Sequence, residues 1–168
     1  DGMRITKMKL VLNEDCSTRL ETESCNEYDE LDRLDKPWKV AKVLVNCFSL
    51  DKRAEEYTYL IATTSQCMPI GFFEISHGTC NATLVGVREI MIRALMVGAV
   101  NIMLVHNHPS GFCNPSKEDE KITMELAKAG KLIGIHFLDH IIIGNDCYYS
   151  FREQDRMREE KTDRELTF

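Results

Sequence analysis

The sequence has no CxxC pair and no apolar run long enough to cross a membrane. A spanning helix needs about 20 apolar residues in succession, and nothing at the start of the chain resembles a signal peptide. The seven cysteines are odd in number and widely scattered, which argues against a disulfide framework or a cysteine-ligated zinc site. We therefore expect a cytoplasmic chain without membrane contact, whose reduced thiols pack mostly as small hydrophobic side chains.

A net positive charge is also lacking, since the formal charge is −6 and the pI is about 5.4. Proteins that bind nucleic acid tightly and nonspecifically neutralise many phosphates with lysine and arginine. Lys36, Lys39 and Lys42 are close together in sequence, but such a cluster is more typical of a solvated helix face. The charge thus disfavours a nucleic-acid partner without excluding it.

The length of 168 residues, 43% of them apolar, is sufficient for one compact core. We divide the chain into an N-terminal strand and acidic loop (1–36), a central domain (37–151) and a charged C-terminal tail (152–168). Residues 4–13 predict an edge strand. Residues 15–35 are acidic and polar, which predicts a surface loop or a short frayed helix.

Strand and helix patterns alternate along the central domain. Helical spacing of apolar residues covers 37–50, 86–98 and 116–134, and strand patterns cover 56–63, 67–76, 100–105, 135–143 and 147–151. This order predicts an α/β fold with a single mixed sheet and flanking helices. Residues 100–105 are nearly all apolar, as in a central strand covered on both faces, and ligands usually bind at the carboxyl ends of such strands.

Two histidines follow directly after that strand. His106 and His108 are two residues apart, so an extended backbone points both imidazoles the same way, and Pro109 favours the extended conformation at His108. Asp119 lies in the first turn of the next helix near its apolar stripe, where an unpaired carboxylate would be costly. Two imidazoles and one carboxylate form a ligand set that suits Zn²⁺ and leaves a fourth position for water.

Two further residues complete the predicted zinc-hydrolase site. Glu74 alternates with Ile70 and Phe72 on a largely apolar strand, and such surroundings raise the pKa of a carboxyl group toward that of a general base and acid working near pH 7. Ser116 is the candidate donor of a hydrogen bond to the oxyanion. Water held by zinc has a pKa of about 7, so hydroxide would be available at neutral pH.

Each of these residues also has an ordinary structural interpretation. Ser116 and Asp119 form the S-x-x-D pattern of a helix N-terminus. An HxH pair alone is a weak metal signal, and a single strand carboxylate such as Glu74 is usually just hydrogen-bonded. His140 beside Asp139 is interpreted as a packing residue or a supporting partner for the site, and Cys113 as a loop thiol. The zinc-site hypothesis is favoured because it explains the set together.

The residues that carry this hypothesis resemble a known family. Residues 106–119 (HNHPSGFCNPSKED) resemble the JAMM (MPN-type) metalloprotease signature, and residues 72–81 (FFEISHGTCN) match the place where that family carries its glutamate. Residues 86–95 (GVREIMIRAL) and 130–144 (GKLIGIHFLDHIIIG) are similar to the bacterial RadC-type branch. The likeness covers residues 37–151.

This resemblance implies a cytidine-deaminase-like (JAMM/MPN) fold and hydrolysis of peptide or isopeptide bonds in a peptide or protein substrate. It implies zinc ligation by His106, His108 and Asp119. It further implies that Glu74 is the general base and acid and that Ser116 is the oxyanion partner.

Other functions stay open. RadC-type proteins commonly carry a helix-hairpin-helix module ahead of this domain, and we expect a short form without it, because little chain precedes Pro37. A DNA repair or recombination accessory that uses the domain as a binding module is therefore the alternative to the hydrolase. A nucleobase deaminase ranks last, since H-x-E and PCxxC are both missing. The sequence leaves the physiological substrate and the oligomeric state open.

Overall fold

A seven-stranded mixed sheet forms the centre of the computed structural model, which describes residues 2–78 and 85–157. The strands are β1 (Met3–Leu12), β2 (Thr18–Tyr28), β3 (Glu56–Thr63), β4 (Pro69–Gly78), β5 (Asn101–Asn107), β6 (His136–Ile143) and β7 (Tyr148–Ser150). The helices are α1 (Pro37–Phe48), α2 (Val87–Met96) and α3 (Lys117–Ile133), with a 3₁₀ turn at Leu50–Lys52. The predicted α/β class, a single mixed sheet with flanking helices, is confirmed.

The strand order is β2-β1-β4-β3-β5-β6-β7. Strand β5 pairs antiparallel with β3 and parallel with β6, and all seven of its residues are buried. The strand predicted to be central is therefore covered on both faces. Within the described parts of the chain, no helix is long and apolar enough to cross a membrane.

Two apolar layers cover the two faces of the sheet. On the α1 face, Val40 and Leu44 of α1 pack with Met103 and Val105 of β5. On the α3 face, Ile102 and Leu104 of β5 pack with apolar residues of α2 and α3: Ile90, Met91, Ala94, Ile122 and Leu126. Full burial of one such side chain stabilises the fold by about 1.5–3 kcal/mol. Side chains alternate along β5, so the next even-numbered residue, His106, also lies on the α3 face.

The N-terminal region differs from the prediction. Residues 18–28, predicted to be a loop or frayed helix, form β2, which pairs antiparallel with β1. Strand β1 therefore lies inside the sheet, between β2 and β4, and β2 is the edge. Most of β2 is exposed, so it needs no apolar alternation that sequence patterns could detect. Charged side chains on an edge strand also oppose pairing with another chain.

The cysteines differ from the prediction as well. Cys113, in the loop before α3, and Cys147, just before β7, form a disulfide. Cys16, Cys25 and Cys47 are exposed rather than packed as hydrophobic side chains. The disulfide partners are 34 residues apart in sequence and meet because β5 and β6 are neighbours in the sheet. Their spacing carried no local signal of this pairing.

Removal of the disulfide is expected to lower stability. Replacing both Cys113 and Cys147 by serine opens a link between residues 34 apart, and loop-closure entropy at this length corresponds to a loss of about 3–4 kcal/mol. Urea denaturation of the oxidised protein measures the loss. Reductant should produce the same loss in the wild type and none in the double variant. Equal stability of the oxidised wild type and the double variant would contradict a linked pair.

Candidate metal centre

Strand β5 and helix α3 bring the three predicted ligands together. His106 is the penultimate residue of β5, His108 follows the strand end, and Asp119 is in the first turn of α3. One ligand atom from each residue can be chosen so that all three lie within 4.8 Å of one another. This group could hold a metal ion.

The contacts inside this cluster are short. The Nε2 atoms of His106 and His108 are 3.1 Å apart. The Oδ1 atom of Asp119 lies 3.1 Å from His106 Nε2, and Oδ2 lies 3.4 Å from His108 Nε2. The side chains of His106 and Asp119 are each 3% exposed, whereas His108 is 18% exposed. Three donor atoms thus face a common point that is more accessible on the His108 side.

A capping box orients Asp119. The backbone N–H of Asp119 donates to Ser116 Oγ (3.1 Å), and the backbone N–H of Ser116 donates to Asp119 Oδ2 (2.8 Å). Burial alone would raise the pKa of Asp119, but the imidazoles of His106 and His108, when protonated on the Nε2 atoms that face it, and the Ser116 backbone N–H outweigh burial and hold the pKa well below its usual range. The N-cap and ligand interpretations of the S-x-x-D pattern are therefore compatible. Ser116 is placed as the N-cap, and its role toward an oxyanion stays a prediction.

The loop after β5 orients His108. Its Nδ1 lies 2.9 Å from the Phe112 carbonyl oxygen, and a carbonyl can only accept, so Nδ1 carries the proton and the Nε2 lone pair is free for a metal. The backbone N–H of His108 donates to Ile143 at the end of β6. Nearby, a Cβ on Gly144 would lie 2.5 Å from the Gly111 carbonyl oxygen, so glycine permits this close approach of the loop.

The carboxylate that approaches the cluster from the sheet is Glu56, the first residue of β3. Its Oε1 lies 3.9 Å from His106 Nε2. Thr58, two residues further on, is paired with His106 across the ladder, so strand alternation places Glu56 on the same face. Burial raises the pKa of Glu56, although His106 and His108 oppose that rise.

Glu74 is not part of this cluster, and the prediction that placed it there is corrected. Its Oε1 accepts a hydrogen bond from the Tyr59 hydroxyl (3.1 Å) and lies 3.7 Å from Lys7 Nζ. Tyr59 and Phe72 belong to the α1 face, opposite the face that holds His106. The alternation of Glu74 with Phe72 was correctly recognised, but it directs the carboxylate away from the ligands.

Asn107, which belongs to no motif recognised in the sequence, holds Glu56 in place. Asn107 is 2% exposed. Its Oδ1 accepts from the Tyr57 backbone N–H (2.7 Å), and its Nδ2 donates to the Glu55 carbonyl (3.0 Å). The amide thus binds both peptide groups that flank Glu56. A signal was available, because an amide in a buried strand requires hydrogen-bond partners.

The surroundings of the cluster are partly apolar. A cavity beside His106 is lined by Glu56, Asp119 and Thr58 and by the apolar residues Val85, Leu104 and Ile122. Apolar walls limit access of water and strengthen electrostatic interactions inside the site. The arrangement is therefore suited to hold a cation and to raise the pKa of a neighbouring acid.

Fold and site together define the class of protein: a mixed α/β domain with a buried His-His-Asp group, able to hold a metal ion, at the end of a central strand. The sequence model of the RadC-like JAB domain family matches residues 34–157. This chain belongs to that family, which confirms the resemblance seen in residues 106–119.

Several relatives support this assignment. A UPF0758 protein of Alkaliphilus metalliredigens (strain QYMF) is 41% identical over 125 residues, which cover 74% of this chain and 53% of the relative. One of Clostridioides difficile (strain 630) is 38% identical over 117 residues, covering 70% and 49%. One of Clostridium botulinum (strain Loch Maree / Type A3) is 37% identical over 155 residues, covering 91% and 65%. The chain spans about half the length of the first two relatives.

A second buried carboxylate lies on β6, next to His140. Asp139, on β6, is 1% exposed. The Ser150 hydroxyl donates to its Oδ2 (2.5 Å), and the Arg152 backbone N–H donates to its Oδ1 (3.0 Å). Burial raises the pKa of Asp139 to about 6, although both hydrogen bonds oppose the rise. The folded chain therefore binds a proton at Asp139 more tightly than the unfolded chain does.

This shift predicts a pH-dependent stability. The contribution of Asp139 is fully present below its ordinary pKa of 3.8 and is lost as the pH rises through about 6, a loss of about 3 kcal/mol. Asp139→Asn keeps an oxygen acceptor but does not titrate. Its free energy of unfolding should thus fall less than that of the wild type between pH 4 and pH 7. Urea denaturation across this range tests the difference, and parallel profiles would contradict it.

Proposed function

We propose that this domain is a zinc-dependent hydrolase that cleaves peptide or isopeptide bonds in a peptide or protein substrate. The observation that carries the proposal is the convergence of two imidazole nitrogens and a carboxylate oxygen within 4.8 Å. Two neutral imidazoles and one carboxylate are the ligand set of a catalytic zinc site with an open position for water. Membership of a JAB domain family is compatible with this activity.

The donor set fits a cation. His108 Nδ1 is committed to the Phe112 carbonyl, so its Nε2 lone pair points toward His106 Nε2, 3.1 Å away. Two facing lone pairs beside a carboxylate repel each other unless a proton or a metal ion lies among them. His106, His108 and Asp119 would hold the ion. Because His106 and Asp119 are buried, a cation would attract these donor atoms more strongly than it would in water.

Glu56 replaces Glu74 as the proposed general base and acid. When bound, zinc acts as a Lewis acid and makes water nucleophilic near neutral pH. Glu56 Oε1 lies 3.9 Å from His106 Nε2 and would accept a proton from attacking water and deliver it to the leaving amine. Burial raises the pKa of Glu56, and a pKa nearer the working pH suits a group that acts first as base and then as acid. Ser116 stays the candidate for hydrogen bonding to the oxyanion.

The metal site is tested by zinc content. Wild-type chain dialysed against zinc and then buffer should retain one zinc ion, whereas His108→Ala and Asp119→Asn should retain almost none, because each loses a ligand. Asp119→Asn keeps an oxygen that can serve the capping box, so folding is preserved. The matched control is His136→Ala, which removes an exposed histidine. Elemental analysis showing equal zinc in all four proteins would contradict the site.

The proton-handling role is tested by two matched carboxylate variants. Glu56→Gln should retain zinc and lose hydrolysis by about 10²–10⁴-fold, the usual contribution of general acid–base catalysis. Glu74→Gln should keep both zinc and activity, since Glu74 lies on the opposite face. Turnover of a fluorogenic peptide library and of lysine-isopeptide-linked peptides measures the effect. Full activity of Glu56→Gln would reassign the role, and an inactive zinc-loaded wild type on every such substrate would count against hydrolysis.

A further inference from the structure

We propose that His140 and Thr123 are positioning residues of the metal centre, which fix the protonation of His106 and join it to the backbone of Asp119. The inference rests on the proposed metal site. His140 is on β6 and Thr123 is on α3. Both residues are buried, with 0% and 1% of their surface exposed. Neither residue belongs to the group of three ligands. Both lie in a continuous path of hydrogen bonds between two of those ligands.

The direction of the path is set at its Thr123 end. The Thr123 hydroxyl donates to the Asp119 carbonyl oxygen at 2.7 Å. A hydroxyl has one proton to donate, so toward His140 Nδ1, 2.6 Å away, the Thr123 oxygen must accept. His140 therefore carries a proton on Nδ1.

The next step depends on the neutral state of His140. The hydrogen-bond partners of its ring among the described residues are Thr123 and His106, and the Phe151 ring stacks on it with the ring centroids 5.0 Å apart. The neighbouring Asp139 carboxylate is occupied by Ser150 and Arg152. A charged imidazolium in such surroundings would be costly, so His140 is neutral and its Nε2 carries a lone pair.

That lone pair faces His106. The Nε2 of His140 lies 2.9 Å from His106 Nδ1, so His106 Nδ1 must be the donor. His106 is then held with its proton on Nδ1, and its Nε2 is left as an acceptor pointing at the cluster. Ligand histidines generally depend on such an oriented partner for their second nitrogen.

The path also couples two ligands mechanically. It begins at the side chain of His106 and ends at the main chain of Asp119, one full helical turn before Thr123 on α3. A shift of α3 relative to β5 would break at least one of three hydrogen bonds. This path of hydrogen bonds, called the relay below, thus keeps the distance between His106 on β5 and Asp119 on α3 fixed, independently of the capping box.

The test uses imidazole ¹⁵N NMR on the zinc-free chain and zinc titration of the same proteins. In the wild type, His106 should show a proton on Nδ1 at a pH where it is neutral. Thr123→Val removes the hydroxyl with little change in volume, and His140→Phe keeps a ring against Phe151 but removes the acceptor. In both variants a fraction of His106 should carry its proton on Nε2 instead of Nδ1. Zinc binding should weaken by about 10–100-fold, the usual effect of losing such a partner.

Two controls separate the relay from a general loss of stability. Thr123→Ser keeps the hydroxyl and should restore the wild-type NMR signals and zinc affinity. Thr63→Val removes another fully buried hydroxyl, at the far end of β3, and should leave both unchanged. A wild-type chain with His106 protonated only on Nε2, or Thr123→Val with unchanged signals and affinity, overturns the relay. A wild type with the Nδ1–H form that binds no zinc supports the relay but overturns the proposed function.

Discussion

Two imidazole nitrogens and a carboxylate converge on one point in a largely buried part of this protein, and the surrounding structure depends on how that convergence is held. The Nε2 atoms of His106 and His108 are 3.1 Å apart. In a buried setting such groups cost free energy unless a cation or a proton lies among them. Each candidate ligand therefore has its own structural support: the β5 ladder for His106, the loop after β5 for His108 and the capped helix α3 for Asp119. If any one of these supports were lost, the two imidazoles and the carboxylate would move apart, which would reduce their mutual repulsion but disperse the cluster.

The position of the cluster follows from the layering of the sheet. Ile102 and Leu104 contribute to the apolar layer beneath α2 and α3, and His106 continues the same side of β5. Apolar packing holds most of β5 in place on this side. Only at the carboxyl end of β5 do hydrogen bonds between polar side chains take the place of apolar contacts. Since buried polar networks stabilise a structure only when every member has a partner, the hydrogen bonds of His140 and Thr123 are what permits a histidine at a position where leucine would otherwise pack.

The parts of this structure that were predictable are those with local signals. Apolar spacing located α1, α2 and α3, and the H-x-H and S-x-x-D patterns located three residues that the fold brings together. Strand β2 was missed because both of its sides are largely exposed and carry no apolar period. The Cys113–Cys147 pair was missed because only the pairing of β5 with β6 brings the two residues near each other. In both cases the deciding contact is between strands, and residue order alone does not state which strands are neighbours.

The exchange of Glu74 for Glu56 has the same origin. Glu74 pairs with Tyr59 across the β3–β4 ladder and alternates with Phe72, and both of these residues belong to the α1 layer, so Glu74 faces that layer. Glu56 instead lies beside β5, where the Asn107 amide binds the peptide groups on both sides of it. Asn107 directly follows His106 in the chain. The same short segment of β5 therefore supplies a candidate metal ligand and the amide that holds the proposed base, Glu56, in position. The separation of Glu56 and His106 is therefore set by the contacts of β3 with β5 and not by the turn between β3 and β4.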